Sequence, residues 1–191
     1  QPSNMNQSQD ETVVLKTGLS FPSFTCQSLP ITLDENKCRD HDGIYFGSFT
    51  FGTKRENVTI KVNRSGRDLP HEYNILHQLN EKSSGNKFLH ALSLESNTSD
   101  PLQYLVLEDF GTDLRVVMRR DNLIARKTIF VPLLLETVSE LHKMGVMHGD
   151  LKPENILIKD SSNGGGSYVM KLCDFDCSRM VNSSSNQSPN Q

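Results

Sequence analysis

His148-Gly149-Asp150-Leu151-Lys152-Pro153-Glu154-Asn155 is the stretch on which the reading of this chain turns. An apolar, helix-patterned tail ends before it at Gly145, a short apolar run leads into His148, and Ile156-Leu157-Ile158 follows. That order predicts helix, strand, loop and strand, with Asp150, Lys152 and Asn155 together on the loop. A carboxylate there can take a hydroxyl proton, an ammonium can neutralise a transferring phosphoryl group, and an amide can hold a metal ion. Phosphoryl transfer needs that set.

Downstream, Tyr168 to Leu172 reads as a second apolar strand, closed by Cys173-Asp174-Phe175-Asp176. Singly, an Asp in a turn is usually a local backbone acceptor. The Ser-Ser-Asn-Gly-Gly-Gly run between the strands precedes a strand rather than a helix, so it reads as a hairpin tip and not as a phosphate cradle. HGDLKPEN closely resembles the catalytic loop of the protein kinases, H-R-D-L-x-x-x-N, and departs from it only at Gly149; CDFD is similar to the family's D-F-G segment. The resemblance implies that Asp150 is the catalytic base and Lys152 the charge on the γ-phosphate. It implies Asn155 and Asp174 as magnesium ligands, with ATP and Mg2+ as cofactors. The Lys-Pro of DLKPEN is similar to the Ser/Thr group rather than the Tyr group.

Upstream of the loop, Ile44 to Phe51 and Val58 to Val62 are β-rich runs, and Thr53 to Asn57 between them reads as a charged turn, giving a hairpin. Lys61 ends Val58-Thr59-Ile60-Lys61. Taken alone it reads as a snorkelling surface lysine, but Glu72 lies one turn into an amphipathic helix that starts at Pro70, within reach of it. This pair resembles the Lys-Glu clamp of the kinase small lobe. Phe88 to Leu94 and Leu102 to Leu107 are two further strands. Tyr104-Leu105-Val106-Leu107-Glu108-Asp109-Phe110-Gly111 resembles the kinase hinge, which implies Leu107 as gatekeeper and adenine bonded to the backbone of Glu108 and Phe110. Ile44 and Leu157 complete the nucleotide-binding set by the same resemblance. Leu123 to Met144 is one helix with an apolar stripe at Leu133, Leu134, Val138 and Leu141, in which Pro132 should kink the axis or move the start towards Val131.

The fold expected is α+β and bilobal: a five-stranded antiparallel small lobe with one helix, about 12–107, a hinge at 108–112, and an incomplete helical large lobe at 113–181. Residues 1–11 and 182–191, rich in Gln, Asn, Ser and Pro, are expected to be disordered tails. Residues 12–34 hold short apolar runs that predict a strand or two at an edge. The large lobe ends soon after Asp176, so the chain reads as cut short, with the apolar face of its long helix open to a partner.

With 191 residues, 35% hydrophobic and 23% charged, the chain suits one globular domain. A net charge of -3 gives no electrostatic case for nucleic acid or an anionic membrane surface. No apolar run reaches the length of a membrane span. The four cysteines lack disulfide density and zinc spacing, so reduced thiols and an intracellular, cytoplasmic protein are expected.

Three departures from the family pattern bear on activity. Lys37 to Ile44, where the glycine-rich loop should lie, offers Gly43 alone and places Asp40 and Asp42 towards the phosphates. Gly149 stands where many kinases have an arginine that pairs with a phosphorylated activation loop. Asp176 replaces the last glycine of D-F-G. The leading expectation is a Ser/Thr protein kinase acting on a protein hydroxyl. A pseudokinase scaffold and an aminoglycoside- or choline-type phosphotransferase are the competing readings.

Overall fold

The computed structural model describes residues 24–37, 43–63, 66–83, 85–96, 102–120, 123–161 and 167–181. The expected tails, the positions of Asp40 and Asp42 and most of the glycine-rich hairpin tip lie outside these.

Five strands form one antiparallel sheet in the order β3-β4-β5-β7-β6: β3 (Thr32–Leu33), β4 (Ile44–Phe51), β5 (Lys54–Val62), β6 (Ala91–Ser96) and β7 (Gln103–Glu108). Alternation along the strands gives the sheet two buried faces. Val58, Ile60 and Val62 of β5, with Tyr45, Tyr104 and Val106, form one cluster with Phe24, Cys26 and Ile31. The last three belong to or flank a small hairpin of β1 (Thr25–Cys26) and β2 (Leu29–Pro30), pinned by the Thr25 N–H donating to the Tyr104 hydroxyl at 3.0 Å. Leu105 and Leu107 face the other way, into the main core.

That core begins at α1 (Leu69–Lys82). Asp68 caps its start by accepting the His71 N–H at 3.0 Å, Pro70 occupies the first turn, and Leu69, Glu72, Ile75, Leu76 and Leu79 are buried on one stripe. The same cluster takes in Phe88, Phe130, Leu141, Val146, Ile156, Leu172 and Phe175, so the sheet-and-helix part and the part that follows share one core.

After β7 the chain forms β8 (Thr112–Asp113), α2 (Leu114–Arg120), α3 (Leu123–Lys143), β9 (Val146–Met147), a 3-10 turn at Pro153–Asn155, β10 (Ile156–Asp160), β11 (Tyr168–Leu172) and β12 (Arg179–Met180). β10 pairs antiparallel with both β11 and β8, and β12 pairs with β9. Gly145, at φ 72°, reverses the chain after α3 as a glycine C-cap does. Lys87 bridges Glu136 at 2.6 Å and Glu140 at 2.8 Å, tying the loop after α1 to α3.

Three local expectations need correction. The charged segment Lys54 to Asn57 is strand, not turn: Phe51 pairs with Lys54, and the reversal is the two residues Gly52-Thr53, with Gly52 at φ 61°. Its charges are tolerated because the hairpin end is exposed. Phe88 is not part of the strand that starts at Ala91; it makes a single bridge to Leu172 and packs edge-on against Phe175, 6.2 Å between centroids. Finally, Pro132 does not move the start of α3 towards Val131: the helix starts at Leu123, as its apolar stripe predicts, and runs through the proline. Ile129, Val131 and Pro132 are exposed, so the proline ring lies on the water side of the helix and outside its packed face.

Candidate active site

Lys61 reaches the inner face of β5 and is 6% exposed. Its Nζ donates to Glu72 Oε2 at 2.6 Å and to Asp174 Oδ1 at 2.5 Å. Glu72 has no exposed surface, and its second oxygen accepts the Phe175 N–H at 3.2 Å. One carboxylate of α1 thus holds both the lysine of β5 and the segment after β11. Burial works against the Lys61 ammonium, but Glu72 and Asp174 outweigh it and hold the group above the usual lysine range. Burial likewise opposes the Asp174 carboxylate, and Lys61, Arg67 and Lys152 bring it below the usual carboxylate range. Asp174 sits at φ 67°, a left-handed conformation that aspartate adopts more readily than most residues.

The loop from His148 to Asn155 is held internally. Lys152 Nζ donates to Asp150 Oδ2 at 2.5 Å, and Asn155 Nδ2 donates to Asp150 O at 2.9 Å and to Asp150 Oδ2 at 3.0 Å. The Lys152 hydrogen bond, helped by Asn155, holds the Asp150 carboxyl below its ordinary value, so it is ionised at neutral pH. Asn155 is fastened to the other half of the site by its backbone, whose oxygen accepts the Cys173 N–H at 3.1 Å. That bond sets Asp174 next to Asn155.

His148 is 2% exposed, with Nε2 2.9 Å from Cys173 O and Nδ1 3.3 Å from the Asp150 N–H. A carbonyl can only accept and an N–H can only donate, so the ring is neutral with its proton on Nε2. Burial holds its pKa down in the same sense. The ring packs on Phe175 with centroids 4.6 Å apart.

Of the expected hinge residues, Leu107 is 2% exposed in the core. The Glu108 N–H is taken by His90 O at 3.0 Å and the Asp109 N–H by Asn57 O at 3.2 Å. Gly111 has φ 57°, and a Cβ there would stand 2.3 Å from Ile158 O, so only glycine lets this segment pass against β10. Leu157 lies opposite Asp113 across the β10–β8 pair. Ile44 lies opposite Lys61 across β4 and β5, on the same face of the sheet.

Gly149 also has a geometric reason. Its φ is 84°, and a Cβ would meet Cys177 O at 2.3 Å. The turn it accommodates runs from Phe175 to Ser178, closed by the Ser178 N–H to Phe175 O at 3.1 Å and by Ser178 Oγ to the same oxygen at 2.6 Å. His71 of α1 meets Ser178 O at 3.0 Å. Asp176, inside the turn, accepts from the Cys177 thiol and so pushes that thiol's pKa up.

A hard divalent ion fits this donor set. Asn155 spends its amide nitrogen on Asp150, which turns Oδ1 into the atom free to act as a ligand, and Asp174 adds a carboxylate beside it. Among the described residues no group of three or more His, Cys, Asp or Glu comes together as a metal cage. Two oxygens suit an ion that takes the rest of its shell from phosphate and water.

Sequence reasoning passed over Lys171, which is 1% exposed and contacts Glu108, and the role of His148. The signal for Lys171 was present: a lysine between Met170 and Leu172, inside an apolar strand, needs an anionic partner. It also passed over α2, although Asp113 caps it by accepting the Val116 N–H at 2.9 Å.

A family model for the protein kinase domain matches residues 51–190. Serine/threonine-protein kinase UCN of Arabidopsis thaliana is 31% identical over 115 residues, which are 58% of this chain and 27% of that protein. Mitogen-activated protein kinase mpkC of Aspergillus oryzae is 36% identical over 80 residues, 40% of this chain and 21% of that one. The chain thus spans roughly a quarter of the length of these curated relatives. Among solved structures, the Cydia pomonella granulovirus kinase PK-1 superposes with a TM-score of 0.54 at 19% identity, over 72% of this chain and 49% of that one, a likeness of fold. The antiparallel sheet with its α1, the core cluster they share with α3 and the match over residues 51–190 agree, and the chain belongs to the protein kinase domain family.

Proposed function

We propose that this chain carries the nucleotide-binding and catalytic-loop part of a serine/threonine-type protein kinase, which transfers the γ-phosphoryl group of ATP to a protein hydroxyl. The observation that carries the reading is Lys61 Nζ held between Glu72 and Asp174, with Asp174 set beside the Asp150-Lys152-Asn155 loop. An ammonium has three donors and two are engaged, so one is left for a phosphate oxygen. Both side-chain bonds to the Asp150 carboxylate go to Oδ2, which leaves Oδ1 to accept the hydroxyl proton as the hydroxyl oxygen bonds to phosphorus and the bond to the leaving ADP oxygen breaks. Lys152, beside Asp150, offsets charge on the transferring group. A magnesium ion held by Asn155 Oδ1 and Asp174 would supply charge neutralisation at the phosphates. With the Glu108 N–H engaged, adenine is left the Glu108 carbonyl and the Phe110 backbone, with Ile44 and Leu157 as apolar neighbours.

In this reading the small lobe is about 12–107, the hinge 108–112 and the large-lobe part 113–181. The acceptor is a protein, and the site of action is the cytoplasm. No described helix is long and apolar enough to cross a membrane. Val131 and Leu135 on α3, 51% and 65% exposed, are where further protein would cover the helical part.

Radiolabelled γ-phosphate transfer to Ser/Thr peptides, set beside transfer to small alcohols, tests the reading. Transfer to peptide is expected from the wild type and is expected to vanish in Asp150→Ala, with MgATP binding retained. Equal turnover in Asp150→Ala removes Asp150 as the base.

A further inference from the structure

β11 carries a second buried lysine, which the chemistry above does not use. Lys171 lies between Met170 and Leu172 and is 1% exposed, as buried as the hydrophobic core. Its Nζ forms an ion pair with Glu108 Oε1, donates to Asn86 Oδ1 at 2.7 Å and stands 4.7 Å from the centroid of the Phe110 ring. The partners are themselves tied together. Glu108 Oε1 accepts the His90 N–H at 2.7 Å, His90 O takes the Glu108 N–H at 3.0 Å, and the His90 ring meets Asn86 Oδ1 at 3.1 Å. One ammonium therefore joins β11, the loop before β6, the end of β7 and the first residues of the hinge.

A buried ammonium is costly unless its partners are in place, so it selects the one arrangement in which they all are. The residues it selects are Glu108 and Phe110, whose backbone is the part left for adenine. Three positions further along the same strand direction comes Asp174. We propose that Lys171 is a positioning residue for the nucleotide base: it seats the Glu108–Phe110 segment against β11, so that base and phosphate sites share one strand as their reference. This rests on the nucleotide reading of the preceding subsection.

Lys171 does not touch Lys61, Glu72 or Asp174 in any of these contacts, so its loss should fall on one end of the ligand. Without the ammonium, the partly exposed Glu108 carboxylate can turn to water, releasing the His90 N–H and the Phe110 ring. The base segment loosens while the phosphate clamp stays closed.

The test uses two probes that divide the nucleotide: adenosine, which has the base and no phosphate, and magnesium tripolyphosphate, which has the phosphates and no base. Their affinities are measured by calorimetry for the wild type, Lys171→Met, Glu108→Gln and the double variant, each at a temperature where thermal unfolding shows it folded. Lys171→Met is expected to weaken adenosine about tenfold, as loss of a buried charged contact does, and to leave tripolyphosphate unchanged. Glu108→Gln added to it is expected to restore part of the loss, because a neutral amide needs no cation. If Lys171→Met does not fold, Glu108→Gln alone carries the test, with weaker adenosine and unchanged tripolyphosphate expected. Equal losses for both probes, or none for adenosine, would overturn the positioning role while the nucleotide reading stands. A wild type that binds neither probe would overturn both.

Discussion

Replacing Lys61 by methionine keeps an unbranched apolar stem, one atom shorter, and removes the ammonium with its charge and its donors to Glu72 and Asp174. Two carboxylates then face each other without a cation: Glu72, with no exposed surface, and Asp174, whose Oδ1 loses a partner at 2.5 Å. Removing one member of a buried pair costs about 3–5 kcal/mol, mostly because the survivor is left charged and unpaired. For a chain of this size each kcal/mol moves Tm by about 2–4 °C, so a fall of roughly 6–20 °C is expected. The origin can be isolated by a double-mutant cycle. If the cost lies in the stranded Glu72, then Glu72→Gln in the Lys61→Met background should relieve it, giving a coupling of about 2–3 kcal/mol. Urea unfolding followed by circular dichroism on the four proteins measures this. A loss under about 1 kcal/mol for Lys61→Met, or strictly additive single variants, would mean that the lysine is a surface residue and that the clamp does not exist.

Gly149→Ala should cost about 1–3 kcal/mol, because φ 84° and a carbonyl 2.3 Å from the new Cβ force the Phe175–Ser178 turn away; hydrogen exchange at the Ser178 amide should speed up, and an unshifted Tm would refute the packing. Gly111→Ala meets Ile158 O at the same distance and should separate β8 from β10, seen as faster exchange of the amides that pair these strands. Stability should depend on pH at both ends. Asp174 has its folded pKa depressed below 3.8, so its contribution is present above that ordinary value and is lost as pH falls through the folded one. Lys61 has its pKa raised above 10.5, so its contribution is present below that value and is lost only as pH rises through the folded one. Neither of these two groups changes stability near neutrality, and the gap in urea midpoint between wild type and Asp174→Asn should narrow in acid; a constant gap would refute the ion pair.

What could be read from the sequence was set by chemistry that needs particular residue types at particular spacings. The expectation at Asp150, Lys152, Asn155 and Asp174 could be formed because their spacing resembles the kinase catalytic loop and D-F-G segment, and because these residue types suit phosphoryl transfer. Lys61 alone read as a surface lysine; it was paired with Glu72 because the helix that follows brings a carboxylate within reach and the pair resembles the kinase Lys-Glu clamp. The reach of β5 was hidden because Lys54 to Asn57 look like a turn by composition, whereas a strand with water on it accepts charge. Phe88 was read into the strand at Ala91 on hydrophobicity alone; its place is decided by Phe175, far along the chain. The φ of 84° at Gly149 comes from the close approach of Cys177, a tertiary contact that no local pattern records. Lys171 needed three partners from two distant segments, Asn86 and Glu108–Phe110, so its burial could be suspected from Met170 and Leu172, but its targets could not.

The central claim is that Lys61, Asn155 and Asp174 together hold a metal-bound nucleotide. Thermal unfolding with and without millimolar MgATP, for the wild type and for Asp174→Ala, tests it most directly. Saturation at about 100 times Kd adds about 2.7 kcal/mol to the native state, so a rise of several degrees is predicted for the wild type and none for the variant. A folded wild type with no shift, or an equal shift in Asp174→Ala, would contradict the claim.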